Sequence, residues 1–317
     1  MNVMISLSVI IPVYNSAPSL PDLLARLEPV LRGVTDQYEA ILVNDDSRDN
    51  SWDVISQLAR EYSWARGLNL MRNYGQHNAL LCGIREAQHE VIITLDDDLQ
   101  HPPEEIPALL DKLAEGHDVV YGTPRREHHG LWRVLASQIT KLALQAAMGV
   151  DVARNVSAFR VFRTQLRDAF AEYSDPFVSI DVLLTWGTTR FAAVRVRHDD
   201  RAVGASNYTF RKLITHAINM STGFSTVPLQ LASWLGFAFT LFGVAVLIYV
   251  VARYLALGYS VPGFPFLASV IAIFSGVQLF VIGIIGEYLA RMHVRSMRRP
   301  HAAIRERAGF EPPEQGR

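Results

Sequence analysis

The residues best suited to chemistry are three consecutive aspartates, 96–98, which follow the apolar stretch 91–94 and precede Gln100. A buried strand that ends in acids places its carboxylates at the carboxyl edge of a sheet, where open α/β folds bind ligands. Carboxylate and amide oxygens suit a hard divalent cation, and such a cation commonly bridges to a phosphate. The competing interpretation is a solvated acidic turn that caps a helix beginning near Pro103.

A second acidic pair, Asp45 and Asp46, follows the apolar stretch 39–44. Acids at a strand end can accept hydrogen bonds from ribose hydroxyls or a base N–H, so the two acidic clusters together describe a site for a nucleoside diphosphate. The sequence has no G-x-G-x-x-G, G-x-x-x-x-G-K-[ST] or G-x-S-x-G run. These absences argue against dinucleotide oxidoreductases, P-loop enzymes and α/β-hydrolases.

The elements that would position these acids alternate along the chain. Apolar, β-branched runs predict strands, and the amphipathic stretches between them predict helices. We expect strands over residues 7–13, 39–44, 66–71, 90–95, 118–122, 158–162 and 191–196. Such alternation is typical of an α/β domain with a mostly parallel, doubly wound sheet, which we assign to residues 1–205.

Two uncharged apolar runs, 229–251 and 264–286, account for the positive mean hydropathy of +0.14. A helix of about 20 residues crosses a hydrocarbon core of about 30 Å. We therefore predict transmembrane helices at about 229–252 and 264–287, within a membrane region that covers 229–290. Two buried core helices are the alternative.

The charge distribution predicts the sidedness of this membrane region. The net charge is −1, but residues 291–317 read as a basic tail, whereas the connector between the apolar runs offers only Arg253. By the positive-inside rule the tail is cytoplasmic, and two crossings return the preceding domain to the same side. Residues 206–228 show apolar positions at helical spacing, which predicts an amphipathic helix at the membrane interface. Packing of that helix against the soluble domain is the alternative.

Other features of the sequence restrict the cellular compartment and the partners of the protein. The single cysteine, Cys82, excludes an intrachain disulfide and fits a reducing compartment. The apolar residues 3–13 lack a basic n-region and a small-residue cleavage site, so we expect a first strand there and not a signal peptide. Nothing in the pattern indicates a nucleic-acid partner, and a homo-oligomer is left open.

Five motifs stand in order along the chain. They are Ile11-Pro12-Val13-Tyr14-Asn15, Asn44-Asp45-Asp46-Ser47 with Asp49, Arg72-Asn73-Tyr74-Gly75-Gln76-His77, the run from Asp96 to Pro103, and Arg201-x-x-Gly204-x-Ser206-x-Tyr208. Together they resemble the family 2 glycosyltransferases with a GT-A fold. Within that family the chain is similar to the branch of dolichol-phosphate mannose synthases and undecaprenyl-phosphate sugar transferases, including the paired apolar runs.

The resemblance implies roles for the residues at the predicted strand ends. The nucleotide sugar, UDP- or GDP-linked, would be bound by Pro12, Tyr14, Asp45, Asp46 and Asp96. The residues that would hold Mg2+ or Mn2+ against the diphosphate are Asp96, Asp98 and Gln100, which makes Asp98 essential to catalysis. Relatives often carry a small residue in place of Asp97, and we interpret this third acid as a solvated neighbour.

The acceptor that the resemblance implies is a polyprenyl phosphate of the undecaprenyl type. A phosphate monoester with a second pKa of about 6 is largely anionic at pH 7, so a dedicated general base is not essential. Groups that orient the phosphate are needed instead, and by motif position these are Arg125, Arg133, Ser137 and Arg201. Each arginine has a surface salt bridge as its alternative interpretation.

Two positions depart from the family pattern. Ser16 stands where relatives commonly carry glutamate, and Asn207 stands where they often carry lysine. A carboxylate near the predicted donor site and a cationic contact in the late loop are therefore missing. Neither change removes the predicted metal-binding acids.

The sequence thus predicts an inverting glycosyltransferase of a bacterial-type inner membrane, with its catalytic domain and tail in the cytoplasm. Its product would be a polyprenyl-phosphate sugar for lipid or cell-surface glycan modification. One rival is a processive polysaccharide synthase of the same fold, disfavoured by the lack of a Gln-x-x-Arg-Trp motif and by too few membrane helices. Another rival is a non-catalytic membrane protein that binds nucleotide sugars.

Overall fold

A computed structural model describes residues 5–124, 156–175, 177–199, 227–257, 263–297 and 300–310. These residues fall into two compact units, one within Met1–Leu213 and Arg298–Arg317 and the other within Ile214–Met297. The first unit contains a sheet flanked by helices. The second contains two long apolar helices.

The first unit is built on a mixed sheet. Its strands are β1 (Leu7–Val13), β2 (Tyr38–Asn44), β3 (Ala65–Leu70), β4 (Val91–Thr94), β5 (Val119–Pro124), β6 (Arg160–Arg163), β7 (Phe191–Val196) and β8 (Ile304–Ala308). Among the described residues they lie in the order β7-β5-β6-β4-β1-β2-β3-β8. β6 and β8 run antiparallel to their neighbours and the other pairs are parallel. The predicted α/β class with a mostly parallel sheet is confirmed.

Helices cover the sheet because each has one apolar face. They are α1 (Leu20–Val34), α2 (Ser51–Glu61), α3 (Gln76–Glu86), α4 (Ile106–Ala114) and α5 (Ile180–Gly187). α1 buries five leucines at helical spacing, and all seven residues of β1 are buried. A strand covered on both faces is expected at the centre of a doubly wound sheet.

The strand order creates a switch point beside β1, which lies between β4 and β2. In open α/β sheets, ligands bind in the crevice outside the carboxyl ends of the strands at such a point. Val13 pairs with Asn44, and Ile10 pairs with Thr94. The acids that follow β2 and β4 therefore reach the same edge of the sheet.

The sequence pattern does not predict β8. It indicates a basic tail over residues 291–317, whereas the structure continues a helix to Ser296 and pairs Ile304–Ala308 with β3. Three of the five β8 residues are charged, so the alternation that reveals a half-buried strand is absent. Backbone pairing and long-range ion pairs place this strand instead.

The second unit consists of α6 (Val227–Leu257) and α7 (Gly263–Ser296). Each contains a stretch long and apolar enough to cross a membrane, Leu229–Ala256 and Ile273–Ser296. Large apolar side chains such as Leu247 and Leu279 are exposed along both helices. The helices are consistent with the predicted transmembrane pair, and α7 extends beyond its expected end at residue 287. The amphipathic segment predicted over residues 206–228 lies outside the described residues, except for its last two positions, 227 and 228.

Candidate active site

The carboxylate of Asp45 fastens the loop before α3 to the end of β2. Asp45 is buried, and its two oxygens accept hydrogen bonds from the backbone N–H groups of Tyr74 at 2.7 Å and Gly75 at 2.8 Å. Gly75 adopts a φ of 90°, a conformation that favours glycine because it has no Cβ. Burial raises the pKa of Asp45, although the two backbone hydrogen bonds favour its ionised form. Asp45 therefore shapes the predicted nucleotide-binding edge.

Asp46 adopts a left-handed backbone with a φ of 55° and differs from Asp45 in exposure. A residue with a Cβ enters this region at an energetic cost, so the turn is held by its surroundings. The Asp46 side chain is 41% exposed, and its Oδ1 lies 3.8 Å from the Arg305 guanidinium of β8. Asp45 is thus buried in the protein, whereas the adjacent Asp46 lies near a cation at the edge of the sheet.

The three predicted metal ligands lie on one turn after β4. Asp98 Oδ1 accepts a hydrogen bond from the backbone N–H of Gln100 at 3.1 Å. Leu99 between them is buried and held at a φ of 61°. Asp96 Oδ1 accepts a hydrogen bond from the side-chain amide of Gln76 at 2.7 Å. The strained leucine closes the turn, which keeps Asp98 and Gln100 together at the edge.

This donor set fits Mg2+ or Mn2+. Both ions prefer oxygen ligands, and Mg2+ is usually held by one or two carboxylates together with substrate phosphates. Within the described part of the chain, no cluster of three or more His, Cys, Asp or Glu side chains is placed to hold a metal ion. A metal ion at the predicted site would use the Gln100 amide oxygen and phosphate oxygens of a bound nucleotide in addition to the carboxylates.

Asp97 requires a correction, because it is not a solvated neighbour. Its Oδ2 accepts a hydrogen bond from the backbone N–H of Tyr14 at 3.1 Å, and its carbonyl oxygen accepts one from the Ser19 hydroxyl at 2.7 Å. Burial raises the pKa of Asp97, while hydrogen bonds from the Ser16 hydroxyl and from Tyr14 oppose that rise. Asp97 joins the acidic turn to the loop after β1. It also supplies a carboxylate next to Ser16.

The loops after β1 and β2 interlock. Pro12 is buried within β1, whereas Tyr14 is exposed at its end. Asn15, at a φ of 56°, donates its backbone N–H to the Ser47 hydroxyl at 3.0 Å. Its side-chain oxygen accepts the backbone N–H of Arg48 at 2.7 Å. Hydrogen bonds of Asn15 therefore join the two loops that carry the predicted nucleotide-binding residues Tyr14 and Asp46.

The histidines near the edge make local contacts. His77 Nδ1 lies 3.3 Å from the backbone N–H of Ile180, at the start of α5. His101 packs edge-on against His198, with ring centroids 4.9 Å apart. Burial and the neighbouring His198 lower the pKa of His101 to about 4, so this ring is neutral at pH 7.

A buried ion pair was missed by the sequence analysis. Arg160 of β6 contacts Asp181 of α5, and the Tyr121 hydroxyl donates a hydrogen bond to Asp181 Oδ1 at 3.1 Å. All three side chains are buried. No local pattern could reveal this pair, because its members are 21 residues apart and lie on different elements.

The residues predicted to orient the acceptor phosphate lie outside the described residues. They are Arg125, Arg133, Ser137 and Arg201, and Asn207 also lies there. Their roles stay predictions. The structure does place the predicted donor-side residues at one edge of the sheet, with Pro12 near the end of β1 and Tyr14, Asp45, Asp46, Asp96, Asp98 and Gln100 on the loops after β1, β2 and β4.

The fold and this acidic edge are those of a GT-A glycosyltransferase domain. Residues 8–172 match the family model described as Glycosyl transferase family 2. The chain belongs to glycosyl transferase family 2.

Similar proteins agree with this assignment, and a solved structure shares the fold. The chain is 36% identical over 300 residues to the undecaprenyl-phosphate 4-deoxy-4-formamido-L-arabinose transferase of Pseudomonas paraeruginosa, covering 94% of this chain and 88% of that protein. It is 35% identical to the protein of the same name from Serratia proteamaculans, covering 96% and 94%. Glucosyl-3-phosphoglycerate synthase from Mycobacterium tuberculosis, solved with Mn2+, UDP-glucose and phosphoglyceric acid, is similar in fold. That match has 19% identity and a TM-score of 0.50, and it covers 69% of this chain and 78% of that one.

Proposed function

We propose that this glycosyltransferase moves a sugar from a nucleotide donor to an undecaprenyl-type polyprenyl phosphate, with inversion at the anomeric carbon. The observation that carries the proposal is the meeting of two acidic turns at the switch point of the sheet, in a chain that continues into two long apolar helices. The names of the relatives support the acceptor class. They also make 4-deoxy-4-formamido-L-arabinose the first sugar to test.

On the donor side, Asp45 and Asp46 with Pro12 and Tyr14 bind the nucleotide. The residues that would hold Mg2+ or Mn2+ are Asp96, Asp98 and Gln100, and the ion would neutralise charge on the departing nucleoside diphosphate. The Asp97 bridge to Tyr14 keeps the nucleotide loop in register with this turn.

On the acceptor side, an anionic phosphate oxygen attacks the anomeric carbon from the face opposite the leaving group. The new bond joins that oxygen to the sugar, and the bond between the anomeric carbon and the donor diphosphate breaks, releasing UDP or GDP. Because the phosphate is already ionised near pH 7, no proton must be removed from it. The residues proposed to orient it are Arg125, Arg133, Ser137 and Arg201.

The proposed topology places the segments before and after the helix pair on the same side of the membrane, and it is supported by the sheet, which contains strands from both segments. β7 precedes α6, β8 follows α7, and both strands belong to the same sheet. An even number of crossings returns the chain to its starting side, and two helices satisfy this. The arginines from residue 291 onward support the cytoplasm of a bacterial-type inner membrane as that side.

The test is a transfer assay on the full-length protein in detergent. Radiolabelled UDP- and GDP-sugars are incubated with undecaprenyl phosphate and Mn2+, and chloroform-soluble label is counted. Label in a monosaccharide-bearing lipid supports the proposal. Label in a polymer would identify a processive synthase, and nucleotide binding without any transfer across the donor panel would identify a non-catalytic binding protein.

A further inference from the structure

Strand β8 brings residues to the donor edge from beyond both long helices. It pairs antiparallel with β3, with Ile304 opposite Leu70 and Glu306 opposite Asn69. Arg305 is the extra residue between these pairs, where the register shifts. Bulges of this kind redirect a side chain and are frequent beside active sites. Because Leu70 is the last residue of β3, the bulge lies at the carboxyl edge of the sheet.

The Arg305 guanidinium reaches two strand ends. Its Nη2 donates a hydrogen bond to the Met71 carbonyl oxygen at 2.8 Å, directly after β3. The same nitrogen lies 3.8 Å from Asp46 Oδ1, after β2. Both charged side chains are half-exposed, 46% for Arg305 and 41% for Asp46, so a ligand at this edge can approach them.

The neighbouring residues of β8 serve a different purpose, since they anchor the strand to helices. Glu306 accepts a hydrogen bond from the Trp52 indole of α2 at 2.8 Å. Arg307 makes a two-point ion pair with Glu86 of α3, at 2.9 and 2.7 Å. Arg305 is thus presented on a strand that is already held in place, and its own charge is directed to the donor edge.

We propose that Arg305 is a positioning residue of the donor-nucleotide site, which acts through Asp46 and the loop that begins at Met71. The inference rests on the proposed function in that its ligand is the nucleoside diphosphate of the donor. Asp45, Asp46 and a diphosphate are all anionic, so a cation at this edge offsets their repulsion as the nucleotide binds. The hydrogen bond to Met71 also fixes the start of the loop that Asp45 holds at Tyr74 and Gly75.

The experiment compares Arg305→Ala and Arg305→Lys with Arg307→Ala in the full-length protein. Arg307 is the matched control, because it is an arginine on the same strand whose ion pair lies on α3. Binding of UDP and of GDP with Mn2+ is measured by calorimetry, and the KM values for donor and acceptor are measured separately. Thermal unfolding of each variant is recorded in parallel.

We expect Arg305→Ala to raise the nucleotide Kd and the donor KM about tenfold, as loss of a charge-assisted hydrogen bond predicts. The kcat at saturating donor and the KM for undecaprenyl phosphate stay unchanged, and Arg305→Lys recovers part of the loss. Arg307→Ala lowers the unfolding temperature without moving the nucleotide Kd.

An unchanged nucleotide Kd in Arg305→Ala overturns the inference, as does a loss that merely tracks the fall in unfolding temperature seen with Arg307→Ala. The absence of UDP and GDP binding by the wild-type protein also overturns it. Failure of the proposed function looks different. In that case the wild type binds nucleotide without transferring sugar, and the effect of Arg305→Ala on the Kd still decides the role of Arg305.

Discussion

Gln76 donates a hydrogen bond from its side-chain amide to Asp96 Oδ1 at 2.7 Å, which joins the first turn of α3 to the acidic turn after β4. The same helix begins at the loop that Asp45 holds through two backbone N–H groups. The two acidic clusters are therefore connected through a single segment, and a change at Gln76 should be felt at the proposed metal site.

Replacing Gln76 should weaken metal binding without removing a ligand. A group that orients a metal ligand typically changes metal affinity by about 10-fold to 100-fold when lost. We expect Gln76→Ala to raise the Mn2+ concentration for half-maximal transfer about tenfold. Gln57→Ala, at an exposed position of α2, is the control. An unchanged Mn2+ requirement in Gln76→Ala would show that Gln76 does not influence the proposed metal site.

Two adjacent aspartates should behave differently. Asp98→Asn removes the charge of a proposed metal ligand where charge develops in the reaction, so turnover at saturating substrates should fall by about 100-fold or more. Asp97→Asn keeps the acceptor for the Tyr14 N–H and should chiefly raise the donor KM, by about threefold. Steady-state kinetics with varied donor and Mn2+ separate the two effects. Equal losses of kcat in both variants would show that the division of roles is wrong.

His301 should make the protein sensitive to acid. Burial, together with the Arg85 guanidinium 3.0 Å away, lowers the pKa of His301 from 6.5 to about 4. As the pH falls through that interval, the unfolded chain takes up a proton that the folded chain does not, so stability is lost. His301→Gln should therefore show a smaller drop in unfolding temperature between pH 7 and pH 5 than the wild type. His89→Gln is the control, and parallel pH profiles for His301→Gln and the wild type would refute the prediction.

Removing only one member of the buried Arg160–Asp181 ion pair should strongly lower the free energy of unfolding. Arg160→Met leaves an uncompensated carboxylate in the interior, which typically costs about 3–5 kcal/mol of unfolding free energy. The double variant Arg160→Met/Asp181→Leu should recover much of that loss, because no buried charge remains. Urea unfolding of the purified protein measures both. A double variant no more stable than the single one contradicts this account, and the exposed Arg32→Ala should change little.

The strand ends that carry the proposed donor-side acids could be predicted because their signals are local. A β-branched run followed by acids identifies both a strand and its carboxyl end, which is how Asp45 and Asp98 are found without a structure. The contacts of Asp97 are not local, because its carboxylate accepts a hydrogen bond from the N–H of Tyr14, which is 83 residues away in the sequence. Whether an acid is solvated or bonded depends on which loop arrives beside it.

The edge strand shows the same limit on a larger scale. Ile304–Ala308 carries charges at three successive positions, a pattern that indicates a solvated segment when it is considered alone. Its partners, Trp52 and Glu86, are more than 200 residues distant. The identity of this strand is therefore a property of the assembled sheet and not of its own sequence.

The position of β8 near the end of the sequence also determines when the sheet is completed during synthesis. A ribosome synthesises both long helices before it reaches Arg305, so the sheet lacks its last strand while the membrane part is being produced. Until then β3 has an open edge, the kind of surface that other chains and quality-control proteases engage. The proposed donor edge is therefore completed late in biosynthesis. A chain that ends before β8 would lack Arg305.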